Sequence, residues 1–102
     1  MHKKVTFEQA KTLLDTLPGR ILIDVREEEE YITGHAVDAV LLPVDEITEK
    51  SAAEVIPTKD TDALLYCRSG YRSNLAAQKL EALGYTRIYD IGSLIGWPYG
   101  LE

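Results

Sequence analysis

One stretch of the sequence combines residue types that could do covalent chemistry: Tyr66-Cys67-Arg68-Ser69-Gly70-Tyr71-Arg72-Ser73. Cys67 is the only cysteine in the chain, and the pattern around it reads as a strand end, a short loop and the start of a helix. Consecutive backbone N–H groups in such a loop can turn toward one point and form an anion cradle. The helix N-terminus adds about half an elementary positive charge. Arg68 and Arg72 add full charges, and Gly70 permits a turn that a side chain would obstruct. Surroundings of this kind favour thiolate over thiol and can bring a cysteine from about 8.5 to between ~3.5 and ~7.5. A cysteine at a strand end is otherwise a small buried apolar residue. The two arginines, two serines and glycine that follow are what favour a nucleophile.

The elements that must position this loop follow from apolar spacing. Thr6 can cap a first helix with Gln9 as its capping-box partner, and Phe7, Ala10, Leu13, Leu14 and Leu17 then share one face. Pro18-Gly19 stops that helix. Residues 21–25 form an apolar run suited to a strand buried on both faces. A short acidic helix is expected over 27–32, a second strand over 39–42, and one or two short helices between Asp45 and Ile56. A third buried strand runs from Ala63 to Tyr66, a long helix from about Ser73 to Leu83, and a fourth strand from Arg87 to Asp90. Gly84 suits the left-handed position after the long helix. Strands alternating with helices imply an α/β fold with a largely parallel sheet of four to five strands, in which ligands sit beyond the carboxyl ends of strands. Cys67 falls at such an end.

Three further segments accompany the loop. Leu22-Ile23-Asp24-Val25-Arg26 is followed by Glu30-Tyr31 and Gly34-His35-Ala36; Ala39-Val40-Leu41-Leu42-Pro43 ends a strand at proline; and Gly92-Ser93-Leu94 precedes Trp97. Together with the cysteine loop, in this order and over almost the whole chain, they resemble the rhodanese family of sulfurtransferases. The resemblance implies a three-layer α/β/α fold as a single domain over residues 1–102. It also implies sulfur transfer through a Cys67 persulfide, with thiosulfate as a typical donor and cyanide or a thiol as acceptor. By position, Cys67 would be the nucleophile, and Arg68, Ser69, Gly70, Tyr71, Arg72 and Ser73 the cradle, with Arg72 stabilising the anionic donor and the persulfide. No metal or organic cofactor is implied. A sulfur-carrier or interaction module with little thiosulfate turnover is the alternative reading.

Loop length separates this branch from related phosphatases and arsenate reductases, whose loops hold five residues between cysteine and arginine; here there are four. Two departures stand out. Ser69 or Tyr71 occupies a place where many thiosulfate-using relatives carry a basic residue, and Ser93 replaces the usual second glycine.

Other polar residues have plainer expectations. Asp24 and Arg26, on the same sheet edge as Cys67, could brace the loop or orient Arg72, with a structural ion pair as the simpler role. His35 is expected as a turn histidine bonded to backbone, and His2 as part of a free terminus. Glu27-Glu28-Glu29-Glu30 reads as a solvated helix face. Trp97 and Tyr89 belong to the core, whereas Tyr71 should stand at the mouth of the loop.

Charge and length bound the rest. The 102 residues carry 11 basic and 17 acidic side chains, a net of −6, which disfavours nucleic acid or anionic membranes as partners. The acids are concentrated before Ala63, so an anion site is expected after it. A lone cysteine excludes an internal disulfide, and no Cys/His cluster offers four zinc ligands. No apolar stretch approaches the ~20 residues of a membrane span, and no apolar run follows Lys3 and Lys4 as in a signal peptide. A cytoplasmic location is the expectation.

Overall fold

The computed structural model describes all 102 residues. Five strands, β1 (Lys3–Lys4), β2 (Ile21–Asp24), β3 (Val40–Leu41), β4 (Ala63–Cys67) and β5 (Ile88–Ser93), form one sheet in the order β1-β5-β4-β2-β3. Every pairing is parallel. Between them lie helices α1 (Phe7–Thr16), α2 (Glu28–Thr33), α3 (Glu49–Val55) and α4 (Tyr71–Ala82), with a 3₁₀ turn at Val44–Glu46. No helix is long and apolar enough to cross a membrane.

Strand alternation divides the core into two clusters. Ile23, Leu65, Cys67 and Ile88 face one side, where Ala52 and Ile56 from the α3 segment and Ala76, Ala77 and Leu80 of α4 cover them. Leu22, Leu64, Tyr66 and Ile91 face the other, under Ala10 and the half-buried Leu13 and Leu14 of α1. Two buried faces with helices outside them make the three-layer α/β/α arrangement. The central strand β4 is buried along its whole length.

Local chemistry sets the boundaries. Thr6 accepts from the Gln9 N–H while the Gln9 side chain accepts from the Thr6 N–H, so the expected capping box starts α1. Gly84 follows α4 with φ +99°, the conformation that glycine adopts without a Cβ penalty. Four expectations need correction. β1 is an unforeseen edge strand, whose two exposed lysines pair with Tyr89 and Asp90. β5 runs on to Ser93 rather than stopping at Asp90, with an irregularity beside Leu65 and Tyr66 that brings Cys67 opposite Ser93. Helix α4 starts at Tyr71 rather than Ser73, because Gly70 in the left-handed region (φ +97°) turns the chain directly into it. His2 is fastened rather than free: its ring nitrogens lie 2.7 Å from Glu81 Oε1 and 3.1 Å from Asn74 Oδ1, both on α4.

Candidate active site

Cys67 is the last residue of β4 and is wholly buried. The chain leaves the sheet through Arg68, Ser69 and Gly70 and enters α4 at Tyr71. This three-residue turn folds back on the thiol, and the Gly70 N–H donates to Cys67 Sγ at 2.9 Å. A Cβ on Gly70 would come no nearer than 3.9 Å to Gly92 Cα and Ser93 N, so space is available. The positive φ is what requires glycine.

The neighbouring N–H groups are free. Those of Arg68, Ser69, Tyr71, Arg72 and Ser73 donate to no protein acceptor, while Asn74 N–H reaches Gly70 O at 3.3 Å. Three of the five are the first donors of α4, which a helix leaves without intrahelical partners. Free donors in the turn and helix start that follow a buried thiol are a backbone setting suited to an anion.

The cradle is held from below by β5. Leu94 N–H donates to Cys67 O at 2.9 Å, and the Ser93 hydroxyl donates to Arg68 O while accepting from Ile95 N–H at 3.1 Å. The serine in place of glycine therefore ties the tail to the loop. Ser73, buried in the first turn of α4, donates from its hydroxyl to Gly70 O at 3.2 Å.

The arginines divide. Arg68 is exposed and joins no ion pair. Arg72 reaches across to α2, where its two terminal nitrogens donate to the Glu30 carboxylate at 2.6 and 2.9 Å. Glu30 also accepts from the Glu27 N–H at 2.9 Å, closing the capping box of α2. The Arg72 guanidinium holds the Glu30 carboxyl down at about 2, and Glu30 in turn raises Arg72 above its already high ordinary value. The acidic run is thus only partly a solvated face: Glu28 and Glu29 are exposed, but Glu30 turns to the loop. Glu30 was missed as a site residue, although Glu27 and Glu30 stand at capping-box spacing, which could have marked one of them as engaged.

Asp24 and Arg26 form a separate cluster. Asp24 is fully buried and accepts from Arg26 Nε at 3.0 Å, Arg26 Nη2 at 2.7 Å, Arg26 N–H at 2.9 Å and the Tyr66 hydroxyl at 2.7 Å. Arg26 also donates to Gly34 O, and Tyr66 accepts from the Ala36 N–H. Burial pushes the Tyr66 phenol upward, so it stays a neutral donor. This cluster does not touch Arg72: orienting that arginine falls to Glu30, and Asp24 and Arg26 hold the ends of β2 and β4 to the 34–36 turn. His35 makes the expected backbone contact, 2.9 Å from Tyr31 O, and stacks on the Tyr31 ring. Tyr71 is 75% exposed at the loop, as its position required. Trp97 is only half-buried, packed edge-on against Phe7 and Tyr99.

Beside the strand ends lies a groove of about 270 Å³, whose walls include Arg26, Glu30, Gly34, Arg68, Leu94 and Ile95.

The family model described as rhodanese-like domain matches residues 6–97. The chain belongs to the rhodanese-like family. It is 38% identical over 98 residues to a sulfurtransferase of Allochromatium vinosum, covering 95% of this chain and 89% of that one. It is 36% identical over 72 residues to thiosulfate sulfurtransferase PspE of Escherichia coli, covering 71% and 68% respectively. To the putative sulfur carrier protein YrkF of Bacillus subtilis it is 30% identical over 86% of its own length and 46% of that protein's. Among solved structures, the human single-domain sulfurtransferase TSTD1 superposes with a TM-score of 0.79 at 25% identity, covering 95% of this chain and 96% of that one.

Proposed function

We propose that this rhodanese-like protein is a sulfurtransferase that moves sulfane sulfur through a persulfide on Cys67, acting as one unit over residues 1–102. The observation that carries the reading is the buried thiol with a Gly70 N–H on its sulfur and five further N–H groups in residues 68–73 that have no protein acceptor. Relatives named thiosulfate sulfurtransferase and sulfurtransferase support it.

In the first half-reaction, the Cys67 thiolate attacks the terminal sulfur of a donor such as thiosulfate. A Cys–S bond forms, the donor's S–S bond breaks, and its electron pair leaves with sulfite. The negative charge that arrives with the donor and stays on the persulfide lies among the N–H groups of Arg68 to Ser73. Fixed donors of this kind need no reorganisation as charge moves. In the second half-reaction, cyanide or a thiolate attacks the outer sulfur and restores the Cys67 thiolate. The chain has no second cysteine to release the sulfur as an internal disulfide, so the acceptor comes from outside.

A second reading is favoured by one observation: Arg72, the strongest fixed charge at the helix start, is engaged by Glu30. With that charge neutralised in place, a carrier that holds persulfide for a partner and turns over thiosulfate poorly fits the same site. The relative named as a putative sulfur carrier accords with this.

One experiment separates the two. The protein and its Cys67→Ser variant are incubated with thiosulfate and with an organic thiosulfonate, followed by cyanide. Thiocyanate is measured, and the intact mass is checked for one added sulfur. Turnover lost in Cys67→Ser supports the transferase, and an added sulfur without turnover supports the carrier. If no donor adds sulfur to the protein, both readings fail.

A further inference from the structure

Two arginines line the groove beside the cradle and a third stands in the first turn of α4, and their partners decide what the groove can bind. Arg26 is paired with Asp24, and Arg72, at the start of the adjoining helix, with Glu30. Only Arg68 is free. Two of the three guanidinium groups are thus offset by a carboxylate of their own, and Arg68 is the one left unpaired. Thiosulfate is a dianion, whereas an organic thiosulfonate or persulfide carries one negative charge. The rest of the groove is not built for a small inorganic ion either: Leu94 and the 70% exposed Ile95 line it. Two of its lining residues are joined to the Cys67 backbone: Arg68 follows Cys67 in the chain, and the Leu94 N–H donates to Cys67 O.

Resting on the sulfur-transfer reading above, we propose that Glu30 is a specificity-determining residue. By holding the Arg72 charge, it makes the site select donors with one negative charge and an apolar body over dianionic thiosulfate. Arg68 meets the donor's anionic end, and Leu94 and Ile95 meet its organic part. With a thiosulfonate, the Cys67 thiolate attacks the terminal sulfur, a Cys–S bond forms, and the S–S bond breaks with its electron pair leaving on a sulfinate. Charge balances: two monoanions enter, and the persulfide anion and the sulfinate leave. Thiosulfate undergoes the same exchange with sulfite as leaving group, but brings a second charge that meets the Glu30 carboxylate.

Benzenesulfinate leaves more readily than sulfite in any setting, so the comparison that matters is the change on substitution. Glu30→Gln keeps an oxygen for the Glu27 N–H and frees the Arg72 charge. It should raise kcat/KM for thiosulfate relative to benzenethiosulfonate about fivefold, as expected for one partly screened charge. Ile95→Ser should shift the same ratio in the same direction by lowering the benzenethiosulfonate value. A ratio that is unmoved or falls in Glu30→Gln, while the added sulfur still appears on Cys67, overturns the proposal. Absence of added sulfur from every donor on the wild-type protein instead removes the sulfur-transfer reading beneath it.

A measurement on the wild-type protein guards against a variant that does not fold. Benzenesulfonate and sulfate, unreactive counterparts of the two donor classes, are compared as protectants of Cys67 against iodoacetamide. Benzenesulfonate should protect at the lower concentration. Equal protection, or better protection by sulfate, rules the selectivity out.

Discussion

Two arginine–carboxylate pairs stand near the carboxyl edge of the sheet, and they differ in everything but their chemistry. Asp24 and Arg26 are two residues apart on one strand end, the carboxylate wholly buried and supplied with donors by Arg26 and Tyr66. Glu30 and Arg72 are 42 residues apart on two helices and roughly a quarter exposed on each side. The first pair is local and costly to disturb, because a buried charge that loses its partner cannot be rehydrated. The second joins distant segments in partial contact with water, where charges can be exchanged at small cost. A scaffold needs the former; a site that must admit and release an anion needs the latter.

The largest expected effect tests the buried side. Asp24→Ala leaves the Arg26 guanidinium uncompensated and the Tyr66 hydroxyl without its acceptor, and should destabilise the fold by about 3 kcal/mol in urea unfolding. A loss below about 1 kcal/mol would place the two pairs in one class. Tyr66→Phe removes the hydroxyl between Asp24 and the Ala36 N–H and should cost about 2 kcal/mol, since a buried N–H is left unpaired.

The half-exposed pair should respond in function more than in stability. Arg72→Lys keeps the charge but loses the two-pronged geometry. It therefore loosens the hold of Glu30 on that charge, and should raise the rate of sulfur uptake from thiosulfate about twofold, in the direction of Glu30→Gln and by less, with the unfolding midpoint nearly unchanged. A loss of more than about 1 kcal/mol in the unfolding free energy would make Arg72 structural. The smallest effect is the acid response of Glu30. Its folded value is depressed from 4.5 to about 2, so the stabilisation is fully present above pH 4.5 and is lost as pH falls toward 2. At this exposure, screening limits it to about 1 kcal/mol. In Glu30→Gln the added acid sensitivity between those limits should disappear.

Sequence reading reached furthest where the determinants are local. The Thr6–Gln9 box, Gly84 after α4, the buried run of β4 and the strand end at Cys67 each depend on neighbours within a few residues. It failed where a partner lies far along the chain. Lys3 and Lys4 carry no strand signal of their own and become β1 only because β5 offers them an edge. His2 depends on residues 72 and 79 positions away, and Glu30 on one 42 positions away. Asp90 was placed in a strand, yet nothing local showed that its carboxylate would be fully buried, one oxygen receiving the Gly92 N–H and the other no protein donor. The cradle itself lies between these cases: its donors were legible from Gly70 and the helix start, but the neutralisation of Arg72 was not.

The fastening of the loop by Ser93 and Leu94 has a consequence for the order of synthesis. A ribosome makes Cys67, Gly70 and all of α4 before it reaches β5, and β5 lies between β1 and β4 in the sheet. Until Ser93 and Leu94 emerge from the exit tunnel, Arg68 O and Cys67 O lack their donors, and the open flank of β4 has no strand beside it. The nascent chain therefore carries Cys67 from residue 67 to residue 94 of its synthesis without the frame that holds the loop.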